Sequence, residues 1–144
     1  MKHLLLFIDD IPEDPEIAAW QLGKAGIDID YRTACTHDGL MAVLAERLPD
    51  IVLCDIVLPQ FDSWDALRIC RTYAPGVPFI IYSGTVSVQD ARLGMQRGVF
   101  GTAEKDVPLV FLMRLRNDAR PAALECRMSS DLGRGARSHP TYAG

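Results

Sequence analysis

Five polar or charged side chains stand at, or just after, the ends of short apolar runs in the sequence. They are Asp9, Asp10, Asp55, Ser83 and Lys105. Runs of this kind are typical of strands that are buried on both faces of a parallel sheet. Because the carboxyl ends of parallel strands meet at one edge of a sheet, we expect these five side chains to converge on that edge.

The chemistry that suits this set is phosphoryl transfer with a divalent cation. Three carboxylates close together repel one another unless a cation neutralises them. Mg²⁺ binds oxygen ligands and combines a few carboxylates with water and phosphate oxygens. One carboxylate can then attack phosphorus and form an acyl phosphate. An ammonium group and a hydroxyl group can stabilise the charge on the transferred group.

Each of these residues, taken alone, also has an ordinary structural interpretation. An Asp-Asp pair after a strand is typical of a helix cap or a solvated turn, and a single Asp at a strand end can cap backbone amides. Ser83 before Gly84 fits a turn, and Lys105 fits the protein surface, where most lysines lie. The functional interpretation depends on the joint placement of all five residues at successive strand ends.

The composition fits one globular domain. The chain has 144 residues, 49% of them hydrophobic, and its 15 basic and 19 acidic side chains give a formal net charge of −4. A general electrostatic binder of nucleic acid or of an anionic membrane needs a basic face, so we expect no nucleic-acid partner and no membrane partner.

The cysteines and the N-terminal run bear on location. The four cysteines form no Cys-x-x-Cys pair and no zinc-binding pattern with histidine, which favours a reduced, cytoplasmic setting. The apolar run at residues 4–8 is too short for a signal peptide or a membrane span.

Strand-like and helix-like patterns alternate along the chain. The predicted strands cover residues 4–8, 27–33, 51–54, 77–82 and 99–103. The predicted helices cover residues 15–25, 37–48, 64–73, 88–97 and 106–117, the first with Asp14 as N-cap and Pro15 at its first position. This alternation predicts an α/β fold, a doubly wound five-stranded parallel sheet with right-handed crossovers and five helices.

The end of the chain differs in composition from the rest. Residues 126–144 hold three arginines and one acidic residue, with no helical or strand period. We therefore expect one domain at residues 1–122 and a flexible tail, or the start of a linker, at residues 123–144.

Taken together, the motifs resemble those of response-regulator receiver domains, the phosphoacceptor modules of two-component signalling. The acidic pair lies in Leu6-Phe7-Ile8-Asp9-Asp10, the acceptor motif in Asp55-Ile56-Val57-Leu58-Pro59 and the hydroxyl motif in Ile80-Ile81-Tyr82-Ser83-Gly84. Lys105, seven residues after Gly98, matches the family's lysine. The resemblance covers roughly residues 3–120, with the motifs in the family's order and approximate spacing.

The resemblance implies a flavodoxin-like sheet with strand order 2-1-3-4-5. It implies that Asp55 accepts a phosphoryl group from a histidine kinase or a phosphotransfer protein, or more slowly from a small phosphodonor. The groups that would hold Mg²⁺ are the carboxylates of Asp9, Asp10 and Asp55 and the backbone carbonyl of Val57.

The resemblance further implies a signalling domain, not an enzyme with an external substrate. Ser83 and Lys105 would contact the phosphoryl group, and Ser83 would move toward it. That movement would shift the face formed by the fourth helix, the fifth strand and the fifth helix, which is a population shift driven by differential contacts. Residues 79–85 and the pair Lys105-Asp106 are similar to receivers attached to PAS-containing sensor kinases.

Three positions depart from the family's pattern. Thr102 stands where the family has a switch aromatic, and a threonine lacks the ring that couples the hydroxyl residue to the output face. Asp106 stands where most of the family has proline. Ser63 stands where the family has glycine, so we expect a different backbone in the acceptor loop and partial screening of the sheet edge by the neighbouring Trp64.

Two other functions stay open. A Mg²⁺-dependent aspartyl phosphohydrolase would also use an Asp nucleophile. The Asp9-Asp10 pair, however, lacks the Asp-x-Asp spacing of haloacid-dehalogenase-like phosphatases, and there is no cap-domain insertion. A receiver that acts as a scaffold, independent of phosphorylation, would be consistent with Thr102.

The last predicted helix is apolar over almost all of residues 107–113. This exceeds the single stripe that packing on a sheet requires. It fits a packed helix with some exposed apolar residues, or a homodimer surface that includes Leu109, Leu112 and Met113.

Overall fold

The computed structural model describes residues 3–105, which contain five strands and four helices. The strands are β1 (His3–Ile8), β2 (Ile29–Ala34), β3 (Ile51–Cys54), β4 (Phe79–Ser83) and β5 (Gly101–Glu104). The helices are α1 (Glu13–Lys24), α2 (His37–Glu46), α3 (Ser63–Tyr73) and α4 (Val88–Arg97). The predicted fifth helix at residues 106–117, its apolar segment and the predicted tail lie outside the described residues.

The five strands form one parallel sheet in the order β2-β1-β3-β4-β5. Ile8 at the end of β1 lies opposite Ala34 in β2 and opposite Cys54 in β3. Ser83 at the end of β4 lies opposite Glu104 in β5. The predicted flavodoxin-like α/β fold with strand order 2-1-3-4-5 is confirmed.

The chain divides into two compact units, the first ending at Phe79 and the second beginning at Ile80. In the first unit β1 lies between β2 and β3, and its residues Leu4 to Ile8 are almost completely buried. Full burial of each large apolar side chain contributes about 1.5–3 kcal/mol relative to exposure. The burial of β1 therefore fixes the position of its end, where Asp9 and Asp10 follow.

Helix α1 begins two residues before the predicted start, so the assignment of Asp14 as N-cap is wrong. The N-cap position is Pro12, which makes no side-chain capping hydrogen bond. Asp14 lies in the first turn together with Glu13 and Glu16. Negative charge there is favourable because the N-terminal end of the helix dipole is positive.

Strands β2 and β5 each begin two residues after the predicted start, and the cause is the same in both. The Ile27 amide donates to the Leu22 carbonyl at 2.9 Å, and the Val99 amide donates to the Gly94 carbonyl at 2.9 Å. These apolar residues close the end of the preceding helix before the strand begins. Gly26 follows α1 with left-handed backbone, which supports its predicted role as the helix stop.

Two further boundaries differ from the prediction by two residues. Helix α2 ends at Glu46, because Pro49 disfavours helical backbone at the preceding Leu48, and the Leu48 side chain is exposed instead of packed. Strand β4 begins at Phe79, because the Val77 amide donates to Ala74 in the preceding turn. None of the four helices within residues 3–105 is long and apolar enough to cross a bilayer.

Candidate functional site

Three carboxylates meet at the carboxyl ends of β1 and β3. One oxygen of each of Asp9, Asp10 and Asp55 lies within 4.8 Å of one oxygen of the other two. The register explains the meeting: Ile8 lies opposite Cys54, so the residues that follow them are neighbours. The three carboxylates that were predicted to converge do so, and they are hereafter the carboxylate cluster.

The backbone of the sheet holds the cluster in place. The Asp9 amide donates to the Ala34 carbonyl at 3.0 Å, and the Asp55 amide donates to the Ile8 carbonyl at 2.9 Å. Asp9 Oδ1 accepts the Ile11 amide at 2.9 Å, and Asp55 Oδ1 accepts the Val57 amide at 3.0 Å. Each of these two carboxylates thus forms a local turn with its own backbone, which limits its rotation.

The cluster fits a hard divalent cation. Asp9 and Asp55 are each only 6% exposed, whereas Asp10 is exposed. Negative charges this close and this buried are unfavourable unless a cation offsets them. All three side chains offer carboxylate oxygens, the ligands that Mg²⁺ and Ca²⁺ prefer and that softer metals do not. The donor chemistry therefore agrees with a metal of this class.

Val57, whose carbonyl was expected to complete the ligand set, lies two residues after Asp55. The residue is 74% exposed, and its amide donates to the Asp55 carboxylate. The role of its carbonyl stays a prediction.

Ser83 and Lys105 belong to the second unit. Ser83 is the buried last residue of β4, and Lys105 is half-buried directly after β5. The Lys105 amide donates to the Ser83 carbonyl at 2.9 Å. The Glu104 carboxylate accepts the Val86 amide at 3.1 Å, which ties the end of β5 to the loop that follows Ser83.

Thr102, the threonine at the family's aromatic position, lies half-buried on β5 opposite Ile81. A buried aromatic side chain lies close by on the neighbouring strand: the Tyr82 hydroxyl donates to the Lys105 carbonyl at 3.4 Å. In the second unit, an aromatic residue of β4, Tyr82, therefore contacts the backbone of Lys105.

Ser63 makes contacts that its sequence position did not suggest. It is the first residue of α3 and is 8% exposed. Its Oγ lies 2.7 Å from the Asp55 carbonyl and 2.8 Å from the Ile56 carbonyl. No non-glycine residue within residues 3–105 has a positive φ, so the backbone at this position does not require glycine.

Neither Ser63 nor Glu104 was assigned to the site from the sequence. The sequence offers only a weak signal for each. Ser63 directly follows Asp62, whose side chain caps α3 by accepting the Trp64 amide, and Glu104 directly precedes Lys105. Hydropathy patterns do not reveal such contacts, because they depend on where the loop backbone runs.

The nearest thiol does not compete with the carboxylates as a nucleophile. Burial raises the pKa of the Cys54 thiol well above its ordinary value of 9.0, and the nearby Cys70 raises it further. A hydrogen bond with Ser63 partly lowers this pKa, and Asp55 and Asp9 add smaller increases. The neutral thiol donates to the Asp55 carbonyl at 3.3 Å. Its role is therefore structural, because the thiolate is the reactive form.

Two curated relatives carry names of whole regulators. Nitrogen assimilation regulatory protein NtrX of Azorhizobium caulinodans is 32% identical over 107 residues, which are 73% of this chain and 23% of NtrX. DNA-binding response regulator MtrA of Mycolicibacterium smegmatis is 33% identical over 100 residues, which are 68% of this chain and 42% of MtrA. The chain thus spans less than half the length of these two relatives. MtrA is named as a DNA-binding regulator, which describes that longer protein, and the expectation that this chain has no nucleic-acid partner stays a prediction.

A solved structure and a family match cover most of the chain. The BeF3-activated N-terminal receiver domain of RstA from Klebsiella pneumoniae is 30% identical, with a TM-score of 0.66, and the match covers 79% of this chain and 96% of that domain. The response regulator receiver domain family matches residues 5–115. With the parallel sheet and the acidic cluster at its edge, this match shows that the chain belongs to the response regulator receiver domain family.

Proposed function

We propose that this domain accepts a phosphoryl group on Asp55 in a Mg²⁺-dependent reaction and transmits the event by a change of conformation. The carboxylate cluster carries the proposal. Its member Asp55 is buried, its amide donates to the Ile8 carbonyl, and one of its carboxylate oxygens lies within 4.8 Å of an oxygen of each of the other two carboxylates. Phosphoryl transfer explains this otherwise costly arrangement, because both a metal and a phosphoryl group interact favourably with such a site.

In the proposed reaction, a carboxylate oxygen of Asp55 attacks phosphorus in line with the P–N bond of a phosphohistidine. The O–P bond forms while the P–N bond breaks, and the imidazole nitrogen leaves with the electron pair. The product is an acyl phosphate. The donor is a histidine kinase or a phosphotransfer protein, and a small phosphodonor reacts more slowly.

The cluster would hold the cation together with the carbonyl of Val57. When bound, Mg²⁺ supplies positive charge that offsets both the carboxylates and the phosphoryl oxygens. Asp9 and Asp10 would keep their charges throughout and serve as ligands. Only Asp55 would form a bond to phosphorus.

Ser83 and Lys105 would bind the phosphoryl oxygens from the ends of β4 and β5. The hydroxyl donates a hydrogen bond, and the ammonium offsets charge in transfer. Movement of Ser83 would act on the loop that the Glu104 carboxylate holds through the Val86 amide. That would bias the face formed by α4, β5 and the predicted fifth helix, with the Tyr82 contact in place of the missing switch aromatic.

Several finer parts of the proposal concern the protein around the domain. We propose a receiver of the type attached to PAS-containing kinases, with a cytoplasmic location. We also propose a domain boundary near residue 122 and a homodimer through the last predicted helix. The proposed domain catalyses only its own phosphorylation and dephosphorylation.

Intact-mass measurement after treatment with acetyl phosphate and Mg²⁺ tests the proposal. We expect the wild-type chain to gain one phosphoryl group, and we expect no gain with Asp55→Asn or in EDTA. Asp38→Asn, which removes an exposed carboxylate in α2, is the matched control and should be modified like the wild type.

Four outcomes would contradict the proposal. An unmodified wild-type chain, or equal modification of Asp55→Asn, would exclude Asp55 as the acceptor. Steady multiple turnover of a phosphate ester would favour the phosphohydrolase. Equal binding of a partner by wild type and Asp55→Asn, with no effect of phosphorylation, would favour a scaffold.

A further inference from the structure

The peptide unit that joins Ile56 and Val57 contacts both the Asp55 carboxylate and Ser63, the first residue of α3. Its carbonyl is that of Ile56, 2.8 Å from Ser63 Oγ, and its amide is that of Val57, 3.0 Å from Asp55 Oδ1. The two groups belong to one rigid plane. Any rotation of the plane that moves the carbonyl away from Ser63 also turns the amide away from the carboxylate.

Ser63 is well placed to hold that plane. Its hydroxyl is also 2.7 Å from the Asp55 carbonyl, so the single oxygen contacts two successive peptide units. Its own position is set by α3, whose first turn is capped when Asp62 Oδ1 accepts the Trp64 amide at 2.8 Å. The link therefore runs from the helix, through Ser63 and one peptide plane, to the carboxylate.

The link constrains the reactive group directly. A carboxylate is planar, so a hydrogen bond to Oδ1 also limits where the second oxygen points. In-line attack on phosphorus needs a narrow range of that direction, and small misplacements reduce the rate. A glycine at this position, the residue that the family resemblance predicts, has no side chain to make the contact.

We propose that Ser63 is a positioning residue that orients the Asp55 carboxylate through the Ile56–Val57 peptide. This rests on the proposed function, because the orientation matters for the rate only if Asp55 is the acceptor. The contact itself does not rest on that function. It can be measured without any phosphodonor.

The experiment compares Ser63→Ala with Ser63→Thr and with wild type in two measurements. The first is the rate constant of phosphorylation by acetyl phosphate at saturating Mg²⁺. The second is hydrogen exchange of the Val57 amide by NMR, without phosphodonor. Because Val57 is 74% exposed, its bond to Asp55 is the main protection that its amide has.

We expect Ser63→Ala to slow phosphorylation by about three- to tenfold, the effect of losing one hydrogen bond of ordinary strength. We expect faster exchange of the Val57 amide in the same variant. Ser63→Thr keeps an oxygen at the γ position and should restore both values to within about twofold of wild type.

Thr72→Ala is the matched control for stability. It removes a hydroxyl that donates to the Arg68 carbonyl at 2.9 Å within the same helix, away from Asp55. If a loss of stability alone slowed phosphorylation, Thr72→Ala and Ser63→Ala would be slowed alike. We expect instead that Thr72→Ala keeps the wild-type phosphorylation rate and the wild-type exchange of the Val57 amide, because its hydroxyl does not contact the Asp55 backbone. If Ser63→Ala does not fold, Ser63→Gly gives the same comparison.

The proposal needs both measurements to change in Ser63→Ala. A wild-type phosphorylation rate would overturn it, and so would a slow rate with unchanged Val57 exchange, because the effect would then not pass through the peptide. If the wild-type chain takes no phosphoryl group, the proposed function fails separately. Unchanged Val57 exchange in that case would also exclude the link.

Discussion

Asp10 is the exposed member of the carboxylate cluster. Replacing it tests two effects separately: the charge repulsion within the cluster without metal, and the stabilisation of the fold by bound Mg²⁺. Asp10→Asn removes one negative charge while keeping the shape of the side chain. Without metal we expect the melting temperature to rise by about 2–5 °C, because repulsion within the cluster falls. With Mg²⁺ we expect a smaller stabilisation than in wild type, because an amide is a weaker ligand than a carboxylate.

Thermal unfolding followed by circular dichroism, in EDTA and in saturating MgCl₂, checks this prediction. Glu16→Gln is the control, since it removes the same charge from the exposed first turn of α1. That charge interacts favourably with the helix dipole, so the control should not gain stability and should keep the wild-type response to Mg²⁺. A lower melting temperature for Asp10→Asn in EDTA would contradict the prediction.

At the residue scale, the sequence shows which carboxylates meet but not how they are held. Asp9 and Asp55 follow unbroken apolar runs, and strand geometry alone carries such residues to one edge of a sheet. The hold of Ser63 on the Asp55 backbone depends on the path of an eight-residue connection. No periodic pattern encodes that path.

Gly98 ends α4 in left-handed backbone, with φ at 99°. A side chain there is strained, so Gly98→Ala should lower the free energy of unfolding by about 1–2 kcal/mol. Gly23, inside α1, is the matched control: it has no positive φ, and an added Cβ meets nothing within 4 Å. Gly23→Ala should therefore raise the free energy of unfolding by about 0.5–1 kcal/mol.

Urea unfolding of the two variants beside wild type measures both shifts. Because the same methyl group is added in each case, the opposite signs report backbone conformation and not side-chain burial. Shifts of the same sign would show that one of the two helix ends is not as described.

At the element scale, the kind of each element could be predicted more surely than its boundaries. Hydropathy assigns Ile27 and Val99 to the strands that follow them, yet their amides complete the hydrogen bonding of the preceding helices. A residue can satisfy both the apolar pattern of a strand and the backbone needs of a helix end. Only the backbone hydrogen bonds decide between the two.

At the scale of the whole molecule, alternation of strands and helices predicts a parallel sheet but not its strand order. The order came from the family resemblance, and it matters for the site. Because β1 lies beside β3, Asp9 is brought next to Asp55, although 45 residues separate them in the chain. Another order would leave the same residues at the same edge without the cluster.

The stability of the whole molecule should fall at alkaline pH because of two buried thiols. Burial raises the pKa of Cys70 from 9.0 to about 12 and that of Cys54 well above 9.0. Above pH 9.0 the unfolded chain releases these protons while the folded chain retains them. The folded state then binds more protons, so the free energy of unfolding falls as the pH rises.

This stability is fully present below pH 9.0 and is lost progressively toward pH 12. Each thiol contributes about 1.4 kcal/mol per pH unit to the slope.

Urea unfolding under reducing conditions, on both sides of pH 9.0, measures the slope for wild type, Cys70→Ala and Cys35→Ala. Cys70→Ala also leaves a cavity that lowers stability at every pH, but it should make the slope shallower by one thiol. Cys35 is exposed, so its replacement should leave the slope unchanged, and an equal flattening in both variants would exclude burial as the cause.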